Sequence, residues 1–346
     1  MLKTKDHIKI GGEFEINPKD LNGIWDFHPE SDSFLFSSGR SALKAILEFI
    51  SRVKPKIIYI PYYICPSVVS TCMQAGYTIK FYELDNDFLF PIDDLEKINK
   101  NATLLTVNYF GFVDDNNIIK KIKKDRPDIT IISDQVQSFW TYKNTCADFS
   151  FTSLRKHFAT PDGALVFSKN GNWRPDKQIE TNNFYWPKLM ASLLKFQKDN
   201  DEIYLKLFEE GEKLLDAESK ITQGSKYAKY FFTNANLDLI RKRRLRNTKR
   251  VYELGNKIGL NFVFRYNEKT VPLSVPVFIK NRDEVRKKLF NKNIFLPVHW
   301  PINQFNEKSK ISKKLAKNSI SLVIDQRYNL NHMEYQLNNF KKIILK

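Results

Sequence analysis

Cysteine is scarce in this chain, with three in 346 residues, Cys65, Cys72 and Cys146, and no CxxC pair among them. A disulfide scaffold and a thiolate zinc site are therefore not expected. Each cysteine sits in an apolar segment, as a buried thiol in a reducing compartment does. Long apolar runs are missing as well. The opening stretch, MLKTKDHIKIGGEFEI, lacks the unbroken apolar segment of a signal peptide or a spanning helix, and none follows. The expectation is a soluble, cytoplasmic protein with no membrane insertion. There are no internal repeats and no Gly, Ser or Gln tracts, and 42% of the residues are apolar. That composition excludes a disordered chain and points to a substantial core.

Acidic residues are outnumbered, 39 against 56 lysines and arginines, for a formal charge of +17. A basic surface can serve nucleic acid, a membrane or small anionic substrates. The lysines, however, are spread along the chain among many Asn, Ile and Phe, as a genome-wide composition bias would also produce. The densest cluster, RKRRLRN at 241–247, is flanked by apolar residues at helical spacing. It reads as the solvated face of a long helix. No helix-turn-helix, zinc-finger or RNA-binding motif is present, so nucleic acid is not an expected partner.

From Lys56 onward, short apolar strands alternate with helices. KIIYIP, TIKFYEL, LLTVNYF and ITIISD read as strands, and PSVVSTCMQAG, IDDLEKIN and NNIIKKIKKD as the helices between them. Such βαβ repetition implies an α/β fold with a mostly parallel sheet covered on both faces. DFSFTSL and GALVFS add two strands. Residues from about Asn183 to Glu253 are helical in pattern. LSVPVFI, RDEVRKKLF, IFLPV, SISLVI and HMEYQLNNFKKIIL then make a small α+β domain. The expected division is a large domain over 1–240, with its helical segment at about 183–240, and a small C-terminal domain over 241–346.

Ligands of an open α/β sheet bind at the carboxyl ends of its strands. Four such places carry chemistry. In FLFSSGRSALKAILEFI, Ser37 to Ser41 open a strongly patterned helix and Gly39 allows close backbone approach. The free N–H groups of that first turn would hold a phosphate, although an ordinary N-cap explains Ser38 or Ser41 equally well. In ISDQVQSF, Asp134 stands at a strand end. Its carboxylate could pair with a protonated ring nitrogen of a cofactor, or simply form a turn. In DFSFTSLRKHFATPDGALV, Lys156 follows a strand, with Ser153 three residues before it and a PDG turn after it. A partly desolvated lysine forms an imine with an aldehyde cofactor, and the plain alternative is a surface lysine. In FLPVHWP, His299 is either a substrate or proton-handling residue or a packed one.

The order of these segments resembles the DegT/DnrJ/EryC1/StrS aminotransferases, PLP-dependent transferases of fold type I that mostly act on nucleotide-linked keto sugars. The likeness runs from IGGEFEI at Ile10 to the C-terminal helix. SSGRSAL resembles the family's phosphate-binding NGTAAL motif and implicates Gly39, Arg40 and Ser41. SDQVQ resembles EDAAQ, which supplies an aspartate for the pyridine nitrogen and a glutamine near the ring hydroxyl, here Asp134 and Gln137. SFTSLRK stands for the family's SFxxxK. Lys156 would then hold pyridoxal 5′-phosphate as a Schiff base, and either Ser153 or Ser150 would bind its phosphate.

VNYFGFVDD resembles the family's VHLYGQPAD, and IFLPVHWP its closing histidine segment, which makes His299 a candidate for substrate contact. Three departures stand out. Cys65 falls where the family stacks an aromatic ring on the cofactor, so Cys65 or a neighbour such as Tyr63 must cover the ring. The NYRM segment has no clear match, and the stretch from Trp173 to Ala235 is divergent. The resemblance implies a homodimeric transaminase moving an amino group from glutamate to a nucleotide-linked keto sugar, for surface polysaccharide or glycoside assembly. Its alternatives are a PLP enzyme acting on a non-sugar ketone or as a dehydratase, and a cofactor-free basic binding or regulatory protein. Relatives that dehydrate usually replace the lysine with histidine, whereas here the lysine is present and His157 follows it.

Overall fold

The structure is a computed structural model that describes residues 8–21, 23, 33–169, 171, 175, 180–198 and 200–344. Residues 1–7 of the basic N-terminal segment, and Trp173 at the start of the divergent stretch, lie outside them. The chain divides into two compact units, one of residues 13–237 and one of residues 1–12 with 238–346.

The first unit is built on a seven-stranded sheet. Its strands are β2 (Ser33–Phe36), β3 (Ile57–Pro61), β4 (Thr78–Tyr82), β5 (Thr103–Val107), β6 (Thr130–Asp134), β7 (Phe149–Ser153) and β8 (Ala164–Ser168). Their spatial order is β2-β8-β7-β6-β5-β3-β4. The pairs from β4 through β7 are parallel, and β8 runs antiparallel to both β7 and β2. β5, β6 and β7 are buried along their whole length, as strands covered on both faces must be, and this explains why they read as nearly continuous apolar runs. One element differs from its sequence expectation. IDDLEKIN forms a 3-10 helix over Ile92–Lys97 rather than an α-helix.

The helix that matters most for the site is α1 (Gly39–Ile50). Ser38 caps it by accepting from the Ser41 N–H at 3.2 Å. Ala42, Leu43, Ile46, Leu47 and Ile50 fall on one buried face, and burial of each large one contributes roughly 1.5–3 kcal/mol. Helix α2 (Pro66–Gln74) follows β3, with proline in its first turn. The segment between 183 and 237 forms three further helices, α3 (Tyr185–Phe196), α4 (Asp201–Ala217) and α5 (Lys226–Asn234).

The turn before β8 is fastened by Asp162, fully buried, which accepts from the Ser225 N–H and hydroxyl and from Asn182 Nδ2, each at 2.7 Å. Gly163 beside it has φ +112°, and a Cβ there would lie 2.9 Å from Leu154 Cδ1.

In the second unit, β9 (Asn261–Phe262), β10 (Val275–Phe278) and β12 (Ser319–Leu322) form an antiparallel sheet. β1 (Ile10–Gly11) pairs with β11 (Ile294–Phe295). The N-terminal strand thus belongs with the C-terminal unit and not with the large domain, because its ladder partner lies there. The long helix α6 (Leu237–Lys257) carries the basic cluster. Arg241, Lys242 and Arg246 are exposed as the helical reading expects, but Arg244 is fully buried. It donates to Gln326 Oε1 at 2.9 Å and to the carbonyls of Pro272 and Leu273.

The charge is not evenly distributed. Residues 1–12 and 238–346 hold 28 lysines and arginines against 9 acids, a formal +19, whereas residues 13–237 hold 28 against 30. A uniform composition bias would not separate the units in this way. The excess belongs to the C-terminal unit.

Gly163→Ala should destabilise the fold by about 1 kcal/mol or more and so lower the urea midpoint of unfolding, because a left-handed backbone and the Leu154 side chain both oppose the added methyl. A midpoint equal to wild type would show that the turn tolerates a side chain.

Candidate functional site

The strand order brings the sequence-predicted residues of the first unit to one edge of the sheet. Ser37 to Ser41 follow the end of β2, Lys156 the end of β7, Asp134 closes β6, and Cys65 lies just beyond β3. Strands β6 and β7 are neighbours and β2 is two places beyond β7. At about 4.8 Å per strand, the ends of β6 and β7 are neighbours, that of β2 lies about 10 Å beyond β7, and that of β3 about 10 Å beyond β6 on the other side.

Contacts between segments confirm the proximity. Gly39 packs so that a Cβ on it would meet Val136 Cγ2 at 3.4 Å and the Phe151 ring at 3.7 Å. The Asp134–Gln137 turn is held by Thr152, whose hydroxyl donates to the Gln135 carbonyl at 2.8 Å, and by the Gln135 N–H, which donates to the Phe151 carbonyl at 2.8 Å.

Asp134 is buried, and among the described residues its carboxylate accepts one hydrogen bond, from the Val136 N–H to Oδ1 at 2.9 Å. Loss of hydration raises its pKa to about 7, against the smaller opposing effect of that bond. Gln137, also buried, accepts the Phe110 N–H at 2.7 Å. Phe110 has φ +55° and precedes Gly111 at φ +88°, so the glutamine carbonyl steadies a left-handed turn at the end of β5. Behind it, Asn108 Nδ2 donates to Ser138 Oγ at 2.9 Å and to Gln135 Oε1 at 3.2 Å, and Gln135 Nε2 donates to Ser133 Oγ at 2.8 Å.

Strand parity separates the two candidate serines. Ser150 is fully buried and its hydroxyl donates to the Tyr142 carbonyl. Ser153 lies three residues on, on the Phe151 side of the strand, which is the side that faces Gly39. Lys156 ends the 3-10 turn Leu154–Lys156 and is exposed.

Arg40 directs its guanidinium to the Leu215 carbonyl at 3.0 Å and Asp216 at 2.6 Å, which leaves its backbone N–H at the start of α1. Both polar groups of Ser41 are bonded within the protein, the N–H to Ser38 and the hydroxyl to Thr222 on both sides. Cys65 is half-buried, with Sγ 3.1 Å from Ser67 Oγ. Tyr63 is fully buried and stacks on Tyr109 at 5.6 Å. His299 belongs to the C-terminal unit, where its Nδ1 is 3.4 Å from Ser321 Oγ.

Sequence reading missed the part played by Val136, Thr152 and Asp162. Nothing local marks them. A pattern of polar residues after β6, SDQVQS, is the one signal that this turn is internally bonded.

No protein-family model and no curated protein matches the sequence. Solved structures do. The aminotransferase PseC of Helicobacter pylori, involved in pseudaminic acid biosynthesis, aligns with a TM-score of 0.68 at 14% identity, covering 98% of this chain and 100% of its own. The sugar aminotransferase Spr1654 of Streptococcus pneumoniae in its PMP form gives 0.67 at 16% identity, covering 97% and 92%. DesV of S. venezuelae gives 0.65 at 15% identity, covering 91% and 85%. The chain has the fold of these aminotransferases over nearly its whole length. Among the described residues no helix is long and apolar enough to cross a membrane, and no cluster of side chains suits a metal ion.

The Asp134 carboxyl makes stability depend on pH. Its folded pKa, about 7, lies above its ordinary value of 3.8. Its contribution is therefore complete below about 4 and is lost as pH rises through about 7. In cofactor-free protein, Asp134→Asn should lose less thermal stability between pH 5 and pH 8 than wild type. Parallel curves would mean that the carboxylate is not desolvated.

Proposed function

We propose that the chain is a PLP-dependent aminotransferase that moves an amino group from an amino acid, glutamate by resemblance, to a nucleotide-linked keto sugar. The observation that carries this reading is that the start of α1, the buried Asp134 turn and Lys156 follow strand ends on the same side of the sheet, with Gly39 packed against Val136. The residues fit the cofactor. Asp134 is a buried carboxyl with one oxygen lacking a protein donor among the described residues, which a ring N–H cation would satisfy. The N–H groups of Gly39 and Arg40 begin a helix and favour a phosphate. Gly39 keeps open a space that a Cβ would fill against Val136 and Phe151.

When bound, pyridoxal phosphate supplies an aldehyde that takes up amines and a ring that accepts the electron pair released at the substrate α-carbon. Asp134 accepts the proton-bearing ring nitrogen and keeps it cationic. Gly39, Arg40 and Ser153 hold the phosphate. Lys156 would hold the cofactor through Nζ, and its amine would serve as the base that moves the substrate proton. Cys65 would cover the ring, and Gln137 holds the Phe110 turn. By resemblance alone, His299 would bind substrate.

The charge of the C-terminal unit suits a phosphate-bearing acceptor, since its formal +19 sets up a field that draws anions. By the same resemblance the enzyme is a cytoplasmic homodimer that serves surface polysaccharide or glycoside assembly. The presence of lysine at position 156 favours amino transfer over dehydration.

Purified protein mixed with the cofactor should show a visible absorbance band that glutamate bleaches and a suitable nucleotide-linked keto sugar restores. Lys156→Ala should slow the glutamate half-reaction by roughly a thousandfold or more, on the scale of losing the group that moves the proton. A wild-type rate in that variant would overturn the assignment.

A further inference from the structure

We infer that His157 is a positioning residue, one that ties the Lys156 turn to the Asp134 turn through the Val136 carbonyl. The inference rests on the cofactor reading given above. His157 is fully buried and directly follows Lys156. Its Nε2 lies 3.1 Å from the Val136 carbonyl oxygen. A carbonyl can only accept, so Nε2 carries the proton and donates. The ring sits among aromatic neighbours, with Phe139 at 5.8 Å and Phe158 at 6.2 Å between centroids.

Val136 is therefore held from three sides. Its N–H donates to Asp134 Oδ1 at 2.9 Å, its carbonyl accepts from His157, and its Cγ2 packs where a Cβ on Gly39 would be 3.4 Å away. One residue thus links the lysine turn, the aspartate and the start of α1. An apolar ring would fill the same aromatic pocket without the cost of burying an imidazole. The imidazole adds a directed bond that fixes where the Lys156 turn stands relative to the Asp134 carboxylate. Misplacement of reacting groups by about 1 Å can cost on the order of a hundredfold in rate, so such a strut has a functional consequence.

Two variants separate positioning from packing. His157→Phe keeps the ring volume and removes the donor, whereas His157→Gln offers an amide N–H at a similar reach. In cofactor-free protein, hydrogen exchange at the Val136 and Gln137 amides should quicken by about tenfold in His157→Phe and stay near wild type in His157→Gln. The dissociation constant for pyridoxal 5′-phosphate, followed by absorbance, should rise by about tenfold in His157→Phe, with the glutamine variant recovering most of the loss.

Equal exchange and equal affinity in His157→Phe and wild type would overturn the inference. So would a glutamine variant as impaired as the phenylalanine one, which would mark a packing role. If His157→Phe does not fold, the glutamine variant decides alone, with wild-type exchange and affinity supporting the inference and impairment overturning it. A wild-type protein that binds no pyridoxal 5′-phosphate sinks the cofactor reading and this inference together. Altered variants of a cofactor-binding wild type bear on His157 alone.

Discussion

The arrangement depends on a carboxyl group held out of water with no cation among the described residues to answer it. Asp134 closes a strand that is buried on both faces, and desolvation lifts its pKa to about 7. A lone buried carboxyl is costly unless something compensates it. The fold spends many bonds on keeping it in place, namely the Val136 N–H, the Thr152 hydroxyl on Gln135, His157 on the Val136 carbonyl, and the Asn108 and Gln135 network behind the turn. A site that is polar, rigid and short of one positive charge is suited to a ligand that brings that charge.

The seven-stranded sheet explains how distant segments meet. Parallel strands all end on the same side, so Asp134 and Lys156, 22 positions apart in sequence, emerge on the same side as Gly39, 117 positions before Lys156. The antiparallel β8 turns the chain back after Lys156, and the buried Asp162 with Gly163 closes that return. The Lys156 turn is therefore anchored at both ends, by β7 before it and by the PDG turn after it.

Much of this was legible in the sequence because it follows from periodicity. Alternating apolar runs and helices identified the parallel sheet, and residues directly after those runs identified Asp134 and Lys156 as strand-end groups. What could not be read depends on three-dimensional neighbours. The two serines near Lys156 were indistinguishable in sequence, and only strand parity, with Ser150 bonded to the Tyr142 carbonyl, parts them. Arg244 looked like one more surface cation in RKRRLRN, yet three acceptors from remote segments draw it inside. β1 could not be assigned to the C-terminal unit because its ladder partner is 284 positions away. Val136, an unremarkable apolar residue in a polar turn, gave no sign that three elements of the site meet on it.

Lys156, proposed as the amine that holds the cofactor, is exposed, whereas another lysine, Lys188, is buried with its pKa lowered by desolvation. Borohydride reduction of the protein loaded with pyridoxal 5′-phosphate, followed by peptide mapping, decides between them. A single phosphopyridoxyl group is expected, on the peptide that contains Lys156. A label on Lys188, or scattered over surface lysines with none enriched, would contradict it.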